Sequence, residues 1–205
     1  MDDKEKLFKH LEKETKVLQN KLVRQAFSEI DRKDFISSSY ECEAYEDYAL
    51  SIGEGQTISQ PTTVAFMLEL LDAKEGDRVL DIGSGSGWTT ALLSKIVGEE
   101  GYVFGVEKIP ALAELGQENI RKYNLKNADI RQSGEDLGLE EKGPFDRILV
   151  SASSNKIPIE IIDQLEVGGV MVIPVKNSLI RLEKTSATEV AKQEFPGFVF
   201  VPLVP

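Results

Sequence analysis

Arg78-Val-Leu-Asp-Ile-Gly-Ser-Gly-Ser-Gly-Trp-Thr89 decides the fold. A short apolar run, Val79, Leu80 and Ile82, carries one acid, Asp81, and opens into Gly83, Gly85 and Gly87. From Thr89 to Val97 the pattern turns helical, with Ala91, Leu92, Leu93, Ile96 and Val97 available for an inner face. Strand, glycine turn and helix in this order make the first half of a nucleoside- or dinucleotide-binding α/β unit. Glycine suits such a turn because the chain bends sharply and a ligand must approach bare backbone. The helix that follows points free N–H groups and its positive dipole end at that ligand. The spacing is G-x-G-x-G, whereas a dinucleotide fingerprint is G-x-G-x-x-G. A second acid, placed to take ribose hydroxyls, is expected at the end of the next strand about 20 residues on. Tyr102-Val-Phe-Gly-Val-Glu107 supplies it in Glu107. The glycines alone also fit a tight turn with no ligand; Asp81 and Glu107 tip the reading toward a nucleoside site.

A chain of 205 residues suits one domain with a sizeable core, or one domain with a small extension. Its net charge of −11 and pI near 4.7 oppose non-specific binding to nucleic acid or anionic membrane, both of which would repel it. Cys42 is the only cysteine, which excludes an intrachain disulfide and suits a reducing compartment. No apolar stretch approaches the ~18 residues that span a bilayer, and Asp2-Asp-Lys-Glu-Lys6 lacks the apolar core of a signal peptide. A soluble, cytoplasmic protein is expected. No metal site is expected either, because His10 is the sole histidine and reads as a solvated side chain in a charged helix. The same scarcity removes Ser-His-Asp and Cys-His catalysis.

Along the chain, Leu7, Leu11, Leu18, Leu22 and Ile30 recur at helical spacing among Lys and Glu. Residues 1–30 are therefore expected to be an N-terminal helical extension packed on a domain of residues 31–205. Residues 31–50 have no clear period and read as an irregular cover. Residues 51–61 read as a loop of defined shape, since two glycines and a proline bracket small hydroxyl residues. A helix should follow over Thr62–Leu71, with Pro61 in its first turn. From spacing alone, Ser59 reads as a cap for that helix. After Glu107 come a helix over Pro110–Tyr123 and a strand over Asp129–Gln132 that ends in Ser133-Gly-Glu-Asp136. A strand follows over Phe145–Ser151, then a helix to Leu165. A turn is expected at Gly168-Gly169, then strands over Val170–Val175, Leu179–Glu183 and Phe198–Val201. Alternating β and α elements predict an α/β, doubly wound, mostly parallel sheet with antiparallel strands at one edge and helices before it. Ligand should bind beyond the carboxyl ends of the strands, where Gly83–Gly87, Glu107 and Gly134-Glu135 fall.

With these residues in hand, the chain resembles the protein-L-isoaspartate O-methyltransferase family, within the Rossmann-like S-adenosylmethionine-dependent methyltransferases. The resemblance runs from about Arg32 to Leu203. It rests first on Ile52-Gly-Glu-Gly-Gln-Thr-Ile-Ser-Gln-Pro61, which is close to specific for the family. Ala44-Tyr-Glu-Asp47, Val79–Gly87, Pro144-Phe-Asp-Arg-Ile148, Ile157-Pro158, Gln164-Leu165, Gly168-Gly169, Ile173-Pro-Val175 and Phe200-Val-Pro-Leu203 support it in order. The resemblance implies S-adenosyl-L-methionine as cofactor, S-adenosyl-L-homocysteine as product, and isoaspartyl-containing proteins or peptides as substrate. On the charge, no nucleic-acid or membrane partner is expected, and a monomer is expected.

By the same resemblance the active-site serine falls on Ser59, overriding the capping reading. Thr57 and Ile58 flank the cofactor. Gly83, Ser84, Gly85 and Gly87 carry the glycine motif, with Gly83 and Gly85 nearest the methionine moiety. Glu107 takes the ribose, Lys108 lines the cofactor, and Gly134-Glu135 match a Gly-acid pair near adenine. The implied reaction moves a methyl group to the free α-carboxylate of an L-isoaspartyl residue and so starts its repair. Three positions depart from the family pattern: Glu54, Thr62 and Lys176 stand where a histidine, a bulkier residue and a glycine are common. They keep open a different carboxylate acceptor, either a dedicated peptide aspartate or a small molecule. A nucleoside-binding module without turnover is another reading, opposed by the intact loop around Ser59. A base-methylating enzyme is opposed by Val150-Ser-Ala-Ser153, which lacks an Asn/Asp-Pro-Pro motif.

Overall fold

The computed structural model describes residues 2–203; Met1, Val204 and Pro205 of the expected domains lie outside it. Helix α1 (Asp3–Lys9) starts with a reciprocal cap in which Asp2 accepts from the Glu5 N–H at 2.8 Å and the Asp2 N–H donates back to Glu5 at 3.2 Å. It widens into a π-type turn over His10–Glu14. Helix α2 (Lys21–Glu29) is capped by Asn20, whose side chain accepts from the Leu22 N–H at 2.8 Å. The apolar stripe of this region, Leu7, Leu11, Leu18, Val23 and Phe27, is buried in a cluster shared with the central helices. Phe27 meets Trp88 edge-on at 5.5 Å. Two 3₁₀ turns, Arg32–Phe35 and Ser38–Glu43, form the irregular cover.

The loop expected over 51–61 is instead an antiparallel hairpin, β1 (Leu50–Gly53) and β2 (Gln56–Ile58), forming a two-stranded sheet of its own. Each strand is too short to show a period of two. The hairpin turns through Gly53, Glu54 and Gly55, all at positive φ. Helix α3 (Pro61–Leu71) begins at Pro61, with Gln60 in the capping position.

The central unit follows as β3 (Arg78–Ile82), α4 (Trp88–Val97), β4 (Tyr102–Glu107), α5 (Pro110–Arg121), β5 (Ala128–Gln132), β6 (Phe145–Val150), α6 (Ile159–Asp163), β7 (Leu165–Val175), β8 (Ser178–Lys184) and β9 (Val190–Pro196). Strand order is β5-β4-β3-β6-β7-β8-β9; the first five are parallel, and β8 and β9 close the edge antiparallel. Sheet and helices thus make the mostly parallel, doubly wound architecture expected. The buried strands bear apolar residues on both faces. Val79, Val103, Leu149 and Val172 meet α3 and α4 in one cluster, while Leu80, Ile82, Phe104, Val106, Ile148 and Val150 form a second. Alternation puts Asp81 on the face of Val79, beneath α4.

Two expectations at the far edge are overturned. β7 begins already at Leu165 and bulges at Gly168-Gly169 without a separate turn: Gly168 has φ +86°, and the stretch Leu165–Val170 lies opposite only Phe145–Arg147. Phe198–Val201 is not a strand; the edge strand is Val190–Pro196. Phe198 instead stacks on Phe66 of α3, with centroids 5.6 Å apart and planes at 7°. Its apolar surface is buried against a helix rather than in the sheet. No helix among the described residues is long and apolar enough to cross a membrane.

Candidate active site

The chain passes outward through β3, β4 and β5, then returns to place β6 on the other side of β3. Between the carboxyl ends of β3 and β6 the connections diverge and leave a crevice, the usual ligand position in such sheets. A cleft of about 970 Å³, counting its open mouth, lies there. Its floor is Gly83–Ser86. One wall comes from Glu107–Ile109, Ser133, Gly134 and Asp136–Gly138; the other comes from Ser151, Ala152 and Val201–Leu203; and Ile52 with Gln56–Ser59 of the hairpin covers it.

The glycine turn is pinned by its neighbour strand. The Gly83 and Ser84 N–H groups donate to the Val106 carbonyl at 2.9 and 3.2 Å. Glu107, buried at the end of β4, accepts from the Gly85 N–H at 2.9 Å through Oε2 and from the Ile109 N–H at 3.0 Å through Oε1. Each carboxylate oxygen keeps a further lone pair, and Glu107 faces the cleft, so hydroxyl groups can still be received there. Asp81 lies fully buried below, with the Thr89 and Thr90 hydroxyls donating to its Oδ2 at 2.7 and 2.6 Å. Burial pushes its carboxyl up to about 6 against the pull of those two bonds, and the Glu107 charge adds to the rise.

Not every expected residue reaches the cleft. Thr57, Ile58, Ser59, Gly83, Ser84, Gly85, Glu107, Lys108 and Gly134 line it. Gly87 and Glu135 are outside its lining. Gly87 is instead the N-cap of α4, pressed against α5: a methyl group added there would stand 2.8 Å from the Gly116 carbonyl. Asp136, one residue beyond Glu135, takes a lining position. The motif read Gly-acid as adjacent, but two acids follow Gly134, and sequence alone does not choose between them. Lys108 reaches across to donate to the Gly134 carbonyl at 3.3 Å, bridging the ends of β4 and β5.

The hairpin sits directly over the glycine turn; a methyl group on Gly85 would be 3.2 Å from Ile52 Cδ1. Ser59 precedes the capping position, which Gln60 occupies, so it does not cap α3. Its carbonyl accepts from Arg32 Nη2 at 3.2 Å. On the next residues, Asp47 accepts from Gln60 Nε2 at 3.0 Å, the Thr62 N–H at 2.9 Å and Thr62 Oγ1 at 2.7 Å. His10, expected to be solvated, contacts Asp47 at 3.2 Å and Glu14 at 2.8 Å. The bond to Glu14 raises its pKa; burial opposes this and Asp47 adds to it. Glu54 occupies the hairpin tip, and Lys176 the β7–β8 turn, where its N–H donates to the Ser154 carbonyl at 2.9 Å.

The lining fits a nucleoside linked to an amino acid. Ser84 Oγ and Trp88 Nε1 are buried at the cleft without a hydrogen-bond partner, so a polar ligand there would relieve two unsatisfied groups. Helix α4 begins at the floor and offers its positive end to a carboxylate. Ile52, Val106 and Leu137 give apolar faces for a base.

Comparison with known proteins agrees with this chemistry. Residues 2–205 match the family described as protein-L-isoaspartate(D-aspartate) O-methyltransferase. A protein-L-isoaspartate O-methyltransferase of Fervidobacterium nodosum is 40% identical over 182 residues, 87% of this chain and 92% of that protein. Protein-L-isoaspartate O-methyltransferase 2 of Archaeoglobus fulgidus is 39% identical over 205 residues, 98% and 93% of the two. A Plasmodium falciparum structure assigned as the same enzyme, in complex with S-adenosyl-L-homocysteine, superposes with a TM-score of 0.86 at 26% identity, covering 100% of this chain and 99% of that one.

Proposed function

The chain belongs to the protein-L-isoaspartate(D-aspartate) O-methyltransferase family, and we propose that its cleft performs the methyl transfer with Ser59 as the group that orients the acceptor. It is an S-adenosylmethionine-dependent methyltransferase of protein repair, acting on isoaspartyl-containing proteins. The observation that carries the assignment of roles is convergence: the Ser59 loop, the glycine turn and Glu107 come from distant stretches and line one cleft.

S-adenosylmethionine supplies an activated methyl group when bound. Gly83–Gly85 and the α4 terminus hold its amino-acid end, Ser84 and Trp88 give it hydrogen bonds, Glu107 takes the ribose hydroxyls, and Asp136 receives the adenine amino group. The acceptor carboxylate, with a pKa near 4, is ionised at neutral pH and needs no base, which suits a cleft whose lining contains no histidine. What remains for the protein is orientation and exclusion of water, the source of large rate effects when reacting atoms are held in line. Ser59 donates a hydrogen bond that aims the carboxylate, and Ile52 with the rest of the hairpin covers the reaction.

Residues 1–30 serve as a cover on the domain of residues 31–205, supported by the buried Leu7, Leu11 and Leu18. The protein acts as a cytoplasmic monomer; that it has no nucleic-acid or membrane partner is supported by its charge of −11. The test is methyl transfer to an isoaspartyl peptide and its normal aspartyl twin by the native protein and Ser59→Ala. Transfer to the isoaspartyl peptide alone, falling at least about tenfold in kcat for Ser59→Ala, is expected. Cofactor binding with no transfer to the isoaspartyl peptide would refute the assignment of acceptor. An undiminished kcat in Ser59→Ala would refute the role of the serine.

A further inference from the structure

Behind the Ser59 loop lies a buried charge that the reaction chemistry does not call for. Arg32 is 3% exposed and outside the cleft lining. Its Nη1 donates to the carbonyls of Ala44 at 2.9 Å and Glu46 at 3.2 Å, and its Nη2 to those of Tyr48 at 2.9 Å and Ser59 at 3.2 Å. The guanidinium also lies 5.6 Å from the ring centroid of Trp88, a cleft residue. Burying a cation is costly unless its donors are used and a counter-charge is near. Here four carbonyls use the two terminal nitrogens, the buried Nε–H has no partner, and Asp47 is the opposing charge. Asp47 in turn grips Gln60 and Thr62, the two residues that flank Pro61. The segment 44–48 is thus stitched to both ends of the stretch 59–62, by a cation at one end and an anion at the other.

We propose that Arg32 and Asp47 are positioning residues for the methyl transfer, acting as a two-point clamp that sets the placement of Ser59. The inference rests on the orienting role given to Ser59. A planar fork is required at Arg32, because carbonyls from four separate residues converge on it; a lysine ammonium gathers its donors at one point. Neither side chain touches the reacting atoms, so their effect must pass through the loop. Loss of the clamp then lowers kcat while leaving the cofactor floor, built from β3, α4 and β4, intact.

A double-mutant cycle tests this, with kcat on an isoaspartyl peptide, S-adenosyl-L-homocysteine affinity and thermal midpoint measured for Arg32→Lys, Ser59→Ala and the pair. Arg32→Lys is expected to lose about tenfold or more in kcat with the product affinity within about threefold of native. In the Ser59→Ala background the same change should add less than about threefold, because residues acting as one unit are not additive. A merely structural role for Arg32 predicts a lowered midpoint with losses in kcat that multiply, and that result overturns the proposal. If Ser59→Ala alone keeps its kcat, both the serine's role and the clamp fall; if it loses activity while Arg32→Lys does not, only the clamp falls. Should Arg32→Lys fail to fold, Asp47→Asn enters the same cycle from the other end of the loop, and multiplying losses there are equally decisive against it.

Discussion

Gly53 and Gly87 adopt nearly the same φ, +92° and +89°, yet their surroundings are opposite. A methyl group at Gly53 would meet nothing within 4 Å. At Gly87 it would lie 2.8 Å from the Gly116 carbonyl, 3.0 Å from Ile130 Cδ1 and 3.2 Å from the Gly116 Cα. Substitution by alanine at either position carries the left-handed strain of about 1–2 kcal/mol. The gain from a less flexible unfolded chain is the same for both and cancels in the comparison. Gly87→Ala must also push α5 off the turn, an overpacking cost of about 1–3 kcal/mol. We therefore expect Gly87→Ala to destabilise by about 1–3 kcal/mol more than Gly53→Ala. In a chain of this size each kcal/mol lowers the thermal midpoint by about 2–4 °C. Urea unfolding followed by circular dichroism gives both values directly. Because α5 and the glycine turn share this contact, Gly87→Ala should weaken S-adenosyl-L-homocysteine binding as well, whereas Gly53→Ala should not act on it through α5. Equal destabilisation by the two substitutions, within about 0.5 kcal/mol, would show that the close approach of α5 is not what demands glycine at 87.

Other outcomes follow from the same geometry. Glu107→Ala strips partners from the Gly85 and Ile109 N–H groups as well as from the ribose, so titration calorimetry should show product affinity weakened about 10- to 100-fold, at about 1–3 kcal/mol for lost charged hydrogen bonds; native affinity would contradict the role of Glu107. Asp136→Asn should weaken binding of the same ligand and Glu135→Gln should not, and the reverse ranking would return the adenine contact to Glu135. His10 favours its charged form when folded, through Glu14 and Asp47, with Asp3, Lys6 and Glu46 also lining its surface cavity. Since its folded pKa lies above the ordinary 6.5, the stabilisation is present below about 6.5 and lost as pH rises through the folded value. The ring is a third exposed, so the amount is under about 1 kcal/mol. The difference in thermal midpoint between native protein and His10→Ala should shrink between pH 5.5 and pH 8.5, on the scale of about one pH unit either side of the transition; a constant difference would dismiss the linkage.

The buried parallel strands were legible because burial on both faces writes an apolar run, as in Val79–Ile82 or Ile148–Val150. The edge was not. β9 reads Val-Ala-Lys-Gln-Glu-Phe-Pro and is exposed along most of its length, so backbone pairing with β8 holds it in the sheet and leaves little mark on residue choice. Phe-Val-Phe-Val at 198–201 carries strand-forming residues whose partner is a helix face. The hairpin β1–β2 was legible as a shaped stretch but not as strands, because three or four residues show no period. Ser59 and Glu107, both in the cleft lining, were picked out through motifs. Arg32 was missed because its partners are backbone carbonyls, which no side-chain pattern announces. His10 was misjudged because its partner Asp47 lies 37 residues away.

The N-terminal helices are tied to groups made much later in synthesis. The Gln19 and Asn20 N–H groups donate to Glu69, Phe27 packs on Trp88, and the Asp31 N–H donates to Tyr123, 92 residues on. At a synthesis rate of about 5–20 residues per second, Tyr123 emerges about 5–20 s after Asp31. Until Trp88 emerges, Phe27 lacks the ring it packs against. On the growing chain, α1 and α2 precede the groups that seat them.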